Sequence, residues 1–291
     1  MVRQLKIFPL LLMMKPSVVS SQMPLNEPCT ALVKDVFLNA SAYPDDVVPI
    51  EETSLLCETP SGMLYEVPSA TSDWIRENEI SGDLFSGQTV LNIPPGTLID
   101  AKTQTLRVNY VPPLINDHNH QTRMLSRMTG TRTVLVIRIE ASNQDASYTE
   151  TTLSNSIFGD GDDKVNLKSQ YSACSFGKLE FIPAIDRNGG TTKIRNGVVT
   201  IKLKKVSTSA GNAVIVNAVS EEITRQFQMP VSHIADHIMY CLPRGSMNGV
   251  GYASSNGWLS VYNDMTCTYV SGQMVSFFHL LFPYIASNHS N

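Results

Sequence analysis

The sequence predicts an α+β protein, β-rich and sandwich-like over residues 29–111 and α/β over residues 131–274. Three observations carry this. From Cys29 to Tyr110, short runs of strand-forming residues alternate with turn signals, and helical periodicity is scarce. Arg132–Glu140 (R-T-V-L-V-I-R-I-E) is polar at its ends and nearly continuous in apolar residues, the mark of a strand covered on both faces. Gly211–Gln228 repeats Ile215, Val219, Ile223 and Phe227 every fourth residue, with Val216 widening the stripe, which is the period of an amphipathic helix.

In chain order, residues 1–21 carry the parts of a secretory signal. Arg3 and Lys6 supply the positive flank, Ile7 to Met14 the apolar run, and Val19-Ser20-Ser21 the small residues before a cut ahead of Gln22. Strands are expected at Ala31–Leu38, Leu55–Cys57, Met63–Val67, Thr89–Leu91 and Leu106–Val111. Tyr43-Pro44-Asp45-Asp46, Thr59-Pro60-Ser61-Gly62 and Pro94-Pro95-Gly96 separate them as turns. Short strands so spaced suggest a small antiparallel sandwich or barrel with a packing or binding role.

Residues 112–130 read as a linker, because Pro112-Pro113 ends the last strand and the polar run after it has no period. His118 and His120 have the residue type to share a metal ion, but a solvated linker is the better reading. Arg123, Arg127 and Arg132 form a basic flank that suits a processing protease. Beyond it, Thr151–Ile157 and Val165–Ala173 are expected helices and Lys178–Ile182 a strand. Asp160–Asp163 lacks the ligand spacing of a calcium loop and reads as a turn. Gly197–Val206 alternates apolar residues with lysine, as a half-buried edge strand does. On the long helix Glu221 can pair with Arg225, and Pro230 stops it.

The stretch Asp236–Met274 holds two further strands, Ile238–Leu242 and Trp258–Tyr262, joined by a Gly/Asn/Ser-rich link. Five cysteines contain no C-x-x-C pair, which excludes a zinc ribbon, and their odd number leaves one thiol over. A Cys241–Cys267 bridge is favoured, Cys29–Cys57 comes second, and Cys174 is then free, although spacing alone does not fix the connectivity. If the chain is secreted, the sequons at Asn39 and Asn288 are glycosylation sites.

Several motifs in this half resemble one family. H-I-M-Y-C-L-P-R-G (from His237), W-L-S-V-Y-N-D (from Trp258) and C-T-Y-V-S-G-Q-M (ending at Met274) are similar to the approach to the zinc helix of gametolysin-type, metzincin-like metallopeptidases. V-L-V-I-R-I, Y-S-A-C-S-F-G-K-L-E-F-I-P and G-V-V-T-I-K-L add to the resemblance, which covers residues 131–274. It implies a secreted zinc metalloendopeptidase acting on extracellular-matrix or cell-wall glycoprotein, with residues 29–111 as a pro-region. Cys57, in L-L-C-E-T-P, lacks the Pro-Arg-Cys-Gly setting of a thiolate latch on the metal.

After Q-M the family continues H-E-x-G-H, with a third histidine further on. Here Val275 and Ser276 stand where the first imidazole and the general base belong, Phe278 replaces the glycine, and Ile285 takes the third ligand's place. Only His279 is in register, so it is the single metal-ligand candidate, and its Phe/Leu-rich surroundings favour a packing role. Pro283 would break the zinc helix one turn later. The resemblance therefore implies Zn²⁺ for the family, none for this chain, and an inactive peptidase with an atypical tail at 275–291. A non-catalytic pseudo-peptidase or glycoprotein-binding module is the alternative. The abrupt change at one residue also fits read-through at a splice junction, since Val275-Ser276 can be encoded by a splice-donor sequence.

Composition sets outer limits. In 291 residues, 42% hydrophobic with a net charge of −4, there is room for one large domain or two ordinary ones and no electrostatic case for nucleic acid. No apolar run reaches the ~18–20 residues of a membrane helix.

Overall fold

The computed structural model describes residues 22–25, 27–37, 50–115, 129–161, 165–186, 193–255, 257–269 and Gln273. The expected signal peptide, the sequons at Asn39 and Asn288, His118, His120, linker residues 116–128, His279 and the tail lie outside them.

The apolar run after the linker forms the axis of the fold. In strand Gly130–Glu140, Val134 and Val136 enter one core while Leu135, Ile137 and Ile139 enter the other. An alternating strand is wholly apolar only when both faces are covered, and this one is. Strands Leu179–Pro183 and Val198–Lys202 lie end to end along one of its edges, both parallel to it. Strand His237–Leu242 runs parallel along the other edge. Leu259–Asn263 follows, again parallel, and Gly251–Ser254 is antiparallel to that. Helices Glu150–Phe158 and Leu167–Cys174 cover one face, and the long helix Asn212–Phe227 covers the other with Ile215, Val216, Val219, Ile223 and Phe227. The expected edge strand contracts to Val198–Lys202, with Lys202 exposed as an edge lysine should be.

The β-rich half does not form a sheet of its own. Strand Cys29–Phe37 pairs antiparallel with Gly251–Ser254 on one side and with Ile50–Glu58 on the other. The sheet then continues through Leu64–Glu66, Thr105–Leu106 and Thr97–Asp100 to Gln22–Leu25. Val90–Leu91 adds to the start of Cys29–Phe37 and pairs with Leu114–Ile115. A self-contained sandwich is the sequence expectation; among the described residues the strands form one connected sheet of 14. The fold is α+β. In chain order the strands named here are β1 (Gln22–Leu25), β2 (Cys29–Phe37), β3 (Ile50–Glu58), β4 (Leu64–Glu66), β5 (Val90–Leu91), β6 (Thr97–Asp100), β7 (Thr105–Leu106), β8 (Leu114–Ile115), β9 (Gly130–Glu140), β10 (Leu179–Pro183), β11 (Val198–Lys202), β12 (His237–Leu242), β13 (Gly251–Ser254) and β14 (Leu259–Asn263).

Helix α1 (Ser72–Ser81) has no counterpart among the expected elements. Its signals are local: the Thr71 hydroxyl accepts from the Trp74 N–H, and Gly82 ends the helix in the left-handed region at φ 79°. Helices α2 (Glu150–Phe158), α3 (Leu167–Cys174) and α4 (Asn212–Phe227) correspond to expected ones. None of the described helices is long and apolar enough to cross a membrane.

One buried amide ties the halves together. Asn217 of α4 accepts from the Leu64 N–H at 2.9 Å through Oδ1 and donates to the Leu64 carbonyl at 2.7 Å through Nδ2. The side chain thus meets β4 as a neighbouring strand would. Replacing it by Leu, which has the same branching but no polar atom, strands a buried N–H and a buried C=O. The expected cost for Asn217→Leu is ~2–3 kcal/mol, read from urea denaturation, against near neutrality for a change at exposed Glu221 of the same helix.

Candidate functional site

Two of the motifs that carry the resemblance, those from His237 and from Trp258, form adjacent parallel strands. β12 and β14 lie side by side, Cys241 opposite Tyr262, and a 3₁₀ turn at Asp264–Thr268 carries Cys267 back to form the disulfide with Cys241. Beyond the turn, Gln273 is fully buried, donates to the Cys267 carbonyl at 2.5 Å, and accepts at its own carbonyl from the Tyr262 hydroxyl at 3.5 Å. Gln273 is thereby tied to the turn that carries Cys267. Both favoured disulfides are present, Cys29–Cys57 and Cys241–Cys267, and Cys174 is free and exposed. Two disulfides are compatible with a secreted protein.

A histidine pair that sequence reasoning passed over is His233 and His237, four apart with Asp236 between them. That spacing places two imidazoles on one face only if both lie on a helix. Here His233 ends a 3₁₀ turn and His237 begins β12, so no shared face exists. Among the described residues no group of three His, Cys, Asp or Glu is placed to hold a metal ion.

At the opposite end of these strands an open cleft of about 260 Å³ lies between the two halves, lined by Leu32, Glu58, Gly87, Arg132, Asp236, His237, Gly257 and Trp258. β3 ends in Glu58, β9 supplies Arg132 near its start, and Asp236 and Trp258 immediately precede β12 and β14. Asp236 is spent on structure. Its Oδ2 accepts from the Thr133 N–H and hydroxyl, each at 2.7 Å, and its Oδ1 lies 3.5 Å from the Arg132 guanidinium. Burial pushes that carboxyl up, but the Thr133 donors and Arg132 outweigh it and hold it below the usual carboxylate range. Glu58 differs. Burial raises its pKa against the opposing pull of the Trp258 indole, which donates at 2.9 Å, and of the Ser232 hydroxyl.

His237 forms the cleft's inner wall, edge-on to Phe181 at 5.8 Å between ring centroids. Burial is the main reason its pKa falls to about 4; nearby Asp236 pulls it up and Arg132 pushes it down. The imidazole is neutral at pH 7. A base whose folded pKa is depressed contributes full stability above its unfolded pKa of ~6.5 and loses it as pH falls toward the folded value. Between pH 6.5 and pH 4 the protein is expected to lose roughly 2–3 kcal/mol on this account. The check is His237→Phe, whose melting temperature should fall less than that of the natural protein over this interval; identical falls would remove His237 as the cause.

Comparison with protein-family models, with curated proteins and with solved structures finds no match to this chain.

Proposed function

We propose that the protein is a secreted, gametolysin-like scaffold that binds extracellular or cell-wall glycoprotein without hydrolysing it. The observation that carries this reading is the residue order after Gln273-Met274. Zinc-assisted peptide hydrolysis needs three imidazoles, a metal-bound water and a carboxylate to take its proton. The chain offers His279 alone, with Val275, Ser276 and Ile285 in the other positions. One histidine does not fit the metal, and a serine hydroxyl is no base at neutral pH, so no hydrolytic step is assigned.

Support for the scaffold comes from the anchored approach. The motifs from His237 and from Trp258 fall on adjacent parallel strands clamped by Cys241–Cys267, and Gln273 is buried and bonded to the Cys267 carbonyl. The test is direct. Full-length protein from a secretory host, mixed with cell-wall glycoprotein, should co-sediment with it and leave it uncut, and metal analysis should find substoichiometric zinc. Chelator-sensitive cleavage with one Zn²⁺ per chain would overturn the reading.

A second reading is favoured by the abruptness of the change at Met274: an active relative is encoded when transcripts continue there into H-E-x-G-H. Sequencing of transcripts across the Met274 codon decides it, because a single in-frame product ending as this chain does would sink it.

A further inference from the structure

The cleft between the two halves has an unbalanced charge. Arg132 faces Asp236, and that pair sums to zero. His237 is neutral at pH 7. Glu58 remains. Its hydrogen-bond partners, Trp258 and Ser232, are neutral, and among the described residues no lysine or arginine forms an ion pair with it. A carboxylate partly withdrawn from water, held by neutral donors and open to a cleft of about 260 Å³, is unfavourable alone and gains from an incoming cation. The partly exposed Trp258 indole beside it is apolar and aromatic, suited to a methylene stem and to a cation near a ring, while Leu32 behind it is fully buried in the core. The volume suits a single extended side chain.

We propose that this cleft receives a basic side chain, arginine or lysine, of a bound polypeptide. Its charge pairs with Glu58 and its stem lies along Trp258. The cleft gathers Leu32, Glu58 and Gly87 from the β-rich half with Arg132, Asp236, His237, Gly257 and Trp258 from the other, so it exists only where the two meet. It lies at the opposite end of β12 and β14 from the Cys241–Cys267 clamp and is independent of any zinc chemistry there. The inference does not require a glycoprotein partner, and its probe is a small molecule, so each reading can fail without the other.

The experiment is calorimetric titration of the full-length protein at pH 8 and low salt with Nα-acetyl-arginine methylamide. A ligand of this size should show a dissociation constant of ~1 mM. The citrulline analogue, equal in shape but uncharged, should bind at least tenfold more weakly, and Glu58→Gln should weaken arginine binding by a similar factor. The citrulline comparison is made on the natural protein and decides the matter if Glu58→Gln does not fold. Equal binding of arginine and citrulline probes, or unchanged affinity in a folded Glu58→Gln, would overturn the proposal. Spermidine binding more tightly than the capped arginine would overturn the assignment to a polypeptide side chain.

Discussion

A fragment beginning at Thr131, made without residues 22–115, is expected to be aggregated or molten. Two losses produce this. β13 would present an open edge: Gly251, Tyr252, Ala253 and Ser254 face Phe37, Val36, Asp35 and Lys34 of β2 in the intact sheet, and the Ser255 N–H donates to the Val33 carbonyl. Unpaired strand edges invite pairing between molecules. The core under α4 would also lose Leu32, Leu56 and Leu64, all buried there beside Ile215, Tyr240 and Val261. Removing one such leucine side chain typically costs ~2–5 kcal/mol. Three together reach the whole stability of a typical domain, ~5–15 kcal/mol. Near-ultraviolet circular dichroism should show no fixed aromatic packing, and residues 22–115 supplied in trans should restore it. A monomeric fragment with a sharp thermal transition would show that the parallel strands stand alone.

Cys241→Ala together with Cys267→Ala should lower stability by ~3–4 kcal/mol, about 10 °C in melting temperature. The bond closes a loop with a sequence separation of 26, and both sulfurs are fully buried, so its loss frees the unfolded chain and loosens a packed site. The effect should be largest locally. With the clamp gone, Gln273 loses its hold on the Cys267 carbonyl, and proteolysis within 264–273 should accelerate more than elsewhere. Cys174→Ser is the control and should change neither measure, because Cys174 is exposed and unbridged. Equal melting temperatures for the double variant and the control would contradict this account.

How much of this was legible depends on whether the cause was local. The run V-L-V-I announces a strand covered on both faces, and the fourfold recurrence in α4 announces its helix, because each signal lies within one element. α1 was legible in principle: Thr71 caps it and Gly82 ends it, but Ile75 is its one fully buried position, so the apolar stripe that periodicity detects is missing. β13 was not legible. Gly251-Tyr252-Ala253-Ser254 looks like part of a flexible link, and it becomes a strand because β2 and β14 bracket it. The same gap hid the joining of the two halves and the cleft, since no window of sequence contains both Glu58 and Trp258. The missing zinc motif drew attention to the sequence after Gln273; the open, charged cleft lies where His237 and Trp258 begin their motifs.

The pairing of β2 with β13 has a consequence for how the protein is made. Ser255 donates to Asp35 across 220 positions of sequence. At ~5–20 residues per second, β2 leaves the ribosome roughly 10–45 s before its neighbour exists. For most of that interval Leu32 and Leu56 have no α4 to cover them, and the Lys34–Phe37 stretch of β2 lacks its β13 partner throughout. Non-local pairing of this kind slows folding and prolongs exposure to wrong partners. The Cys29–Cys57 bond joins β2 to β3, both of which are made early, so it can form and hold that hairpin before the rest arrives. The β-rich half is thus a waiting template, completed by the last quarter of the chain.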